Sequence, residues 1–142
     1  FTTFNNTGCD EIIITGGKFY STCSHHFLPF IGQFWYGYIP NNKICGLSKI
    51  PRIVEYFSKR PQIQEILTKQ VIDCLEEKLS PKFSILILKA KHYCEILRGV
   101  KQDENTSDTI TSAVKGYFLE PPQGRSPKDE FLKLINLNGG VR

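Results

Sequence analysis

Apolar and polar positions change their period several times along the chain, and each change predicts an element. The run DEIIITGGKFYST reads as a strand, a Gly-Gly kink and a second extended run. GQFWYGYIP is aromatic and strand-like, and Pro40-Asn41-Asn42-Lys43 turns the chain into KICGL, which predicts a hairpin. The period lengthens after Gly46-Leu47-Ser48. Ser48 is placed to cap a helix, Pro51 is tolerated in its first turn, and Ile50, Ile53, Val54 and Phe57 line one face. Pro61 is expected to open a second helix. Its apolar side is Ile63, Ile66, Leu67, Val71, Cys74, Leu75 and Leu79; its other side carries Lys69, Asp73, Glu76, Glu77 and Lys78. KFSILILKAKHYCEILRG reads as one long strand, KQDENTSD as a polar loop, and TITSAVKGYF as the antiparallel partner. Pro121-Pro122 breaks the chain, and Ser126-Pro127 starts a short last helix that Gly139-Gly140 ends. Strands, two helices, two strands and a helix make an α+β fold with an antiparallel sheet, and residues 1–142 are expected to form one domain.

Composition narrows the class. With 40% hydrophobic and 23% charged residues the chain can bury a core, and no apolar run is long enough to span a membrane. The net charge of +4 suits an anionic small molecule and is too small and scattered for nucleic acid. There is no methionine and the chain begins at Phe1, so the natural N-terminus is expected to be missing or processed. Five cysteines are an odd count for a secreted disulfide framework and point to reduced thiols in the cytoplasm.

Those thiols lie beside the histidines. His25 and His26 follow Cys23, and His92 precedes Cys94, so every histidine has a cysteine within three residues. Thiolate and imidazole hold zinc, and a catalytic zinc keeps three protein ligands and one open position. Cys23 and His26 can share one ion from a tight turn, with Cys94 as the third ligand. His25 and His92 are then spare imidazoles for proton transfer. A structural zinc would want a fourth ligand, and spacing leaves Cys9 or Cys45 open for it. Cys74, on an apolar helix face, reads as core. Lys49 and Arg52 lie one turn apart near a helix start, where phosphate is favoured, and Arg98 follows Cys94 by one turn. Gln64-Glu65 opens a helix; a carboxylate there complements the helix dipole, or accepts two parallel N–H bonds from a guanine edge.

STCSHHFLPF, GYIP, GLSKIPRIVEYFSKRPQIQEILTKQ, HYCEILRG and TITSAVKGYF resemble, in order, the GTP cyclohydrolase I family, over about Cys9 to Leu134. The resemblance implies hydrolytic opening of the guanine ring of GTP at C8, with release of formate and formation of 7,8-dihydroneopterin triphosphate. It implies zinc on Cys23, His26 and Cys94, and catalytic roles for His25 and His92. Glu65, with Gln64, would read the guanine edge. Ser48, Lys49, Arg52 and Arg98 would hold ribose and triphosphate. It also implies the tunnelling fold, an antiparallel sheet with two helices on one face. Two stacked pentameric rings would make a homodecamer with active sites at subunit interfaces.

Four departures from the family pattern stand out. Ser24 replaces the usual glutamate between the cysteine and the histidines, and Ile66 stands where arginine is common. Trp35 stands where animal-type members often carry histidine. The N-terminal helical segment, which supplies further basic residues, has no counterpart in this chain. Two other readings compete: a non-catalytic zinc- and GTP-binding oligomeric regulator, and a nitrile reductase of the same fold. The second relies on a cysteine nucleophile, and the Cys-x-His-His motif argues against it.

Overall fold

The computed structural model describes residues 1–104, 108–116 and 126–137. A five-stranded sheet organises it: β2 (Ile13–Cys23), β3 (Pro29–Ile39), β6 (Phe83–His92) and β7 (Thr109–Gly116) run antiparallel to their neighbours. The short β5 (Pro61–Gln62) adds parallel to the end of β2, giving the order β5-β2-β3-β6-β7. A separate pair joins β1 (Thr3–Asn5) to β4 (Lys43–Cys45). The helices are α1 (Lys49–Ser58), α2 (Gln64–Leu79), the single turn α3 (Tyr93–Ile96) and α4 (Pro127–Leu137).

Alternation in the strands sorts side chains to two faces. Phe30, Phe34, Tyr36 and Tyr38 of β3, with Leu86, Leu88 and Ala90 of β6, face α1 and α2. They close the larger core with Ile50, Val54, Leu67, Val71, Ile72, Leu75 and Leu79. Each Val, Leu, Ile or Phe among them contributes about 1.5–3 kcal/mol when fully buried. The expected two helices on one face are therefore present. On the opposite face α4 seats Phe131 and Ile135 against Ile39, Phe83, Ile85 and Ile87. Ser126 caps this helix as expected: its Oγ accepts the Asp129 amide at 3.3 Å. Pro121-Pro122 and Gly139-Gly140 lie outside the described residues.

Several expectations give way to non-local pairing. β2 runs unbroken through Gly16-Gly17, because both pair with β3; a Cβ on Gly16 would stand 2.8 Å from the Phe34 carbonyl oxygen. β3 and β4 do not form a hairpin: β3 pairs with β2 and β6, and β4 with β1. Pro61 starts β5, and α2 begins three residues later at Gln64. Ile63 and Ile66, assigned to the apolar side of that helix, are 45% and 47% exposed; Cys74 is half-buried rather than core. Ser48 precedes α1 without a side-chain cap. β6 stops at His92, so Cys94 stands on α3 rather than on a strand. No helix among the described residues is long and apolar enough to cross a membrane.

Candidate metal centre and active site

Two local structures bring the cysteines and histidines together. β2 ends at Cys23, and the chain folds straight back. The Cys23 amide donates to the Leu28 carbonyl at 2.8 Å, and the Phe27 amide donates to the Cys23 carbonyl at 2.8 Å. Phe27 takes the left-handed conformation (φ 56°), which costs a non-glycine residue about 1–2 kcal/mol. The Ser24 amide donates to the Gln62 carbonyl at 2.9 Å, tying the loop to β5. On the other side, the β3–β6 register sets His92 opposite Phe30, just beyond this loop. The chain then coils into α3 and carries Cys94 to the same place.

The ligand atoms of Cys23, His26 and Cys94 all lie within 4.8 Å of one another. A tetrahedral ion with metal–sulfur bonds of about 2.3 Å spaces two sulfurs about 3.8 Å apart, so the donor set and its spacing fit zinc. Cys9 and Cys45, the alternatives for a fourth ligand, stand outside the cluster. Cys45 is buried in the core with its thiol on the Gly46 carbonyl, and the Cys9 thiol faces the Glu11 carbonyl. Burial raises the Cys94 pKa, and the neighbouring Cys23 raises it further. A bound cation would reverse that direction. His26 is exposed. Desolvation lowers its pKa, and the charges of Arg98 and His25 add to this. The His25 ring lies 4.3 Å from that of His26.

His92 is more tightly held. Its ring stacks on Phe30 at 4.6 Å with planes 3° apart, and its Nε2 lies 2.5 Å from Oε1 of Gln64. Gln64 is 1% exposed. Its amide nitrogen donates to the Leu88 carbonyl (3.3 Å), the Thr109 carbonyl (3.0 Å) and Thr111 Oγ1 (3.1 Å). Carbonyls only accept, so the amide cannot be flipped. His92 Nε2 must be the donor, and Nδ1 is left with the lone pair of the neutral ring. Burial lowers the His92 pKa against the opposing pull of Glu95 and Glu65, so the neutral form is favoured. Glu65 is exposed at the start of α2 and borders the cleft between that helix and β7. Sequence reasoning missed the Phe30 stack and the Thr68–Thr111 hydroxyl pair (2.8 Å) that braces Gln64. Thr68, one helical turn after Gln64, was the available signal.

The remaining candidates lie elsewhere. The Cys45 amide donates to Tyr38 Oη at 3.1 Å, so the segment leading into α1 sits at the far end of β3 from Phe30. That separation is about 26 Å along the strand at about 3.3 Å per residue. The other end of α1 returns towards the centre, where the Gln62 amide group donates to the Phe57 carbonyl at 2.8 Å. Along the axis of α1, Ser48 and Lys49 thus stand about 14–15 Å, and Arg52 about 9 Å, from the end nearest the cluster. Lys49 and Arg52 line a different cavity.

A profile described as GTP cyclohydrolase I matches residues 1–136. A protein named GTP cyclohydrolase 1 from Sulfurihydrogenibium sp. is 46% identical over 137 residues, 95% of this chain and 71% of the relative. One of the same name from Campylobacter jejuni is 42% identical over 139 residues, 98% and 70% of the two chains. One from Aquifex aeolicus is 44% identical over 126 residues, 89% and 66%. Among solved structures, an archaeosine synthase QueF-Like in the apo form shares the fold, with a TM-score of 0.60 and 12% identity over 74% of this chain and 93% of that one. On its sequence and on the site it assembles, the chain is an enzyme of the GTP cyclohydrolase I family.

Proposed function

We propose that the chain, acting with residues 1–142 as a single catalytic domain, hydrolyses GTP to 7,8-dihydroneopterin triphosphate and formate in the cytoplasm, at the head of pterin biosynthesis. The observation that carries this reading is the convergence of Cys23, His26 and Cys94 within 4.8 Å, beside two further imidazoles. Zinc held by these three residues would supply an activated water at near-neutral pH. The protein's own groups do the rest. His92, fixed by Gln64 and Phe30, is aimed to accept or return a proton at Nδ1 as the purine ring opens. His25 is exposed beside the cluster and serves as the second proton carrier. Glu65 accepts two N–H bonds from the guanine edge, and a site built on that pairing rejects adenine strongly. Arg98, close to His26, faces the ribose and phosphates.

The separation of Ser48, Lys49 and Arg52 from the cluster supports an assembly in which each site is shared. Those residues reach a metal centre only if a neighbouring copy presents them, as in the pentameric rings and homodecamer of the tunnelling fold. The reading is tested by giving GTP to the full-length, zinc-loaded protein and following formate together with the fluorescent neopterin formed on oxidation. Both products should appear, and both should vanish in His92→Ala with zinc retained. GTP bound by the wild type with neither product would instead mark a non-catalytic binding protein.

A further inference from the structure

Two hydroxyl groups stand behind Gln64, and the donor in each of their hydrogen bonds follows from proton counting. Thr68, one helical turn after Gln64, is 2% exposed, and its Oγ1 donates to the Gln64 main-chain carbonyl at 2.8 Å. A hydroxyl has one proton, so Thr68 has none left for Thr111 Oγ1, which lies 2.8 Å away on β7. Thr111 is therefore the donor of that pair, and its lone pairs are left to accept the Gln64 side-chain amide at 3.1 Å. The bonds close a ring with one direction: Gln64 amide to Thr111, Thr111 to Thr68, Thr68 to the Gln64 carbonyl. The amide nitrogen has two protons, and its nearer acceptors are the Thr109 carbonyl (3.0 Å) and Thr111 Oγ1 (3.1 Å), with the Leu88 carbonyl at 3.3 Å. Unlike the two carbonyls, a hydroxyl could donate to the oxygen of a flipped amide, but the proton of Thr111 is spent on Thr68. The order set at Thr68 therefore reaches the imidazole, because Gln64 Oε1 lies 2.5 Å from His92 Nε2.

We infer that Thr111 is a positioning residue for His92: its hydroxyl, turned one way by Thr68, seats the Gln64 amide and so holds His92 in the Nε2–H form with Nδ1 free. The use of Nδ1 in proton transfer rests on the cyclohydrolase reading; the hydroxyl network does not. A threonine that bonds the carbonyl of the preceding turn is common in helices, and the hydroxyl pair also knits α2 to β7, but that role would show in stability alone. Thr111 borders the cleft beside Glu65 as well, so direct contact with a ligand is the competing reading.

The test uses the full-length, zinc-loaded protein and reads the ring-nitrogen chemical shifts of His92 beside steady-state turnover of GTP. Thr111→Val should give a mixture of His92 tautomers, lower kcat about three- to tenfold and move KM by less than about twofold, with zinc retained. Thr111→Ser keeps the hydroxyl and should return kcat to within about twofold of wild type, with the Nε2–H form restored. Thr68→Val frees the Thr111 proton and should shift His92 the same way; it carries the test if Thr111→Val does not fold. In a Gln64→Ala background Thr111→Val should lower kcat no further, because it acts through that side chain. A pure Nε2–H form in the valine variants would overturn the assignment. So would a loss that falls on KM, or one that persists in full without Gln64, since either would make Thr111 a ligand contact. Tautomers that respond as described in a protein that leaves GTP intact would keep the positioning role and remove the cyclohydrolase reading.

Discussion

Gln64 uses its amide nitrogen on the sheet and its oxygen on His92, which leaves it no free donor for a ligand. Its contribution to GTP turnover is therefore expected to run through the orientation and tautomer of His92. Gln64→Ala should lower kcat about tenfold or more while KM for GTP moves by less than about threefold. Nitrogen chemical shifts of His92 should show the Nε2–H form in the wild type and a mixture in the variant. A change confined to KM would instead make Gln64 a direct contact to guanine. Glu65, its neighbour, is exposed, so the dipeptide divides into one residue turned inward and one turned outward. That division was not legible in the sequence. Gln-Glu at a helix start marks both residues as polar, and only the packing of α2 against β6 and β7 decides which one is turned inward.

The elements that position the site differ in how far local pattern specified them. In α1, Ile50 and Val54 are buried as their spacing predicts, because an amphipathic helix needs only its own period to choose a face. In α2 the apolar period ran on into Ile63, which precedes the helix because β5 pairs with β2 and delays its start, and into Ile66, which lies on the helix but faces outward. The turn at Pro40 was a sound local signal, yet its strands went to different partners, since long-range pairing is set by the sheet and not by the turn. The cluster of Cys23, His26 and Cys94 was legible because thiols and imidazoles at short spacing have few other uses. The path that brings Cys94 there, a helical turn rather than a strand, was not. The β3–β6 ladder under His92 depends on Gly32, where an added Cβ would fall 1.9 Å from the Lys89 carbonyl oxygen. Gly32→Ala should force these strands apart and lower the melting temperature by about 5–10 °C or prevent folding. A melting curve unchanged within about 1 °C would show that the ladder is less rigid than its spacing requires.

At the scale of the whole molecule the chain presents two chemistries at opposite ends of one sheet: the cysteine–histidine centre at one, and the cations Lys49 and Arg52 at the other. Between them α1 packs on β2 and α2. In the function proposed above, one reaction uses both and draws them from two copies. Closed symmetric assembly meets this need, since a single pair of faces repeated around a ring completes every site at once. The most direct measurement is complementation between two inactive variants, Cys94→Ser and Arg52→Ala, unfolded together, refolded with zinc and assayed for formate release from GTP. If each site draws its metal centre from one copy and its phosphate cations from another, random mixing should restore about a quarter of the wild-type rate. Activity no greater than the sum of the two variants alone would mean that each chain completes its own site, and would contradict the division.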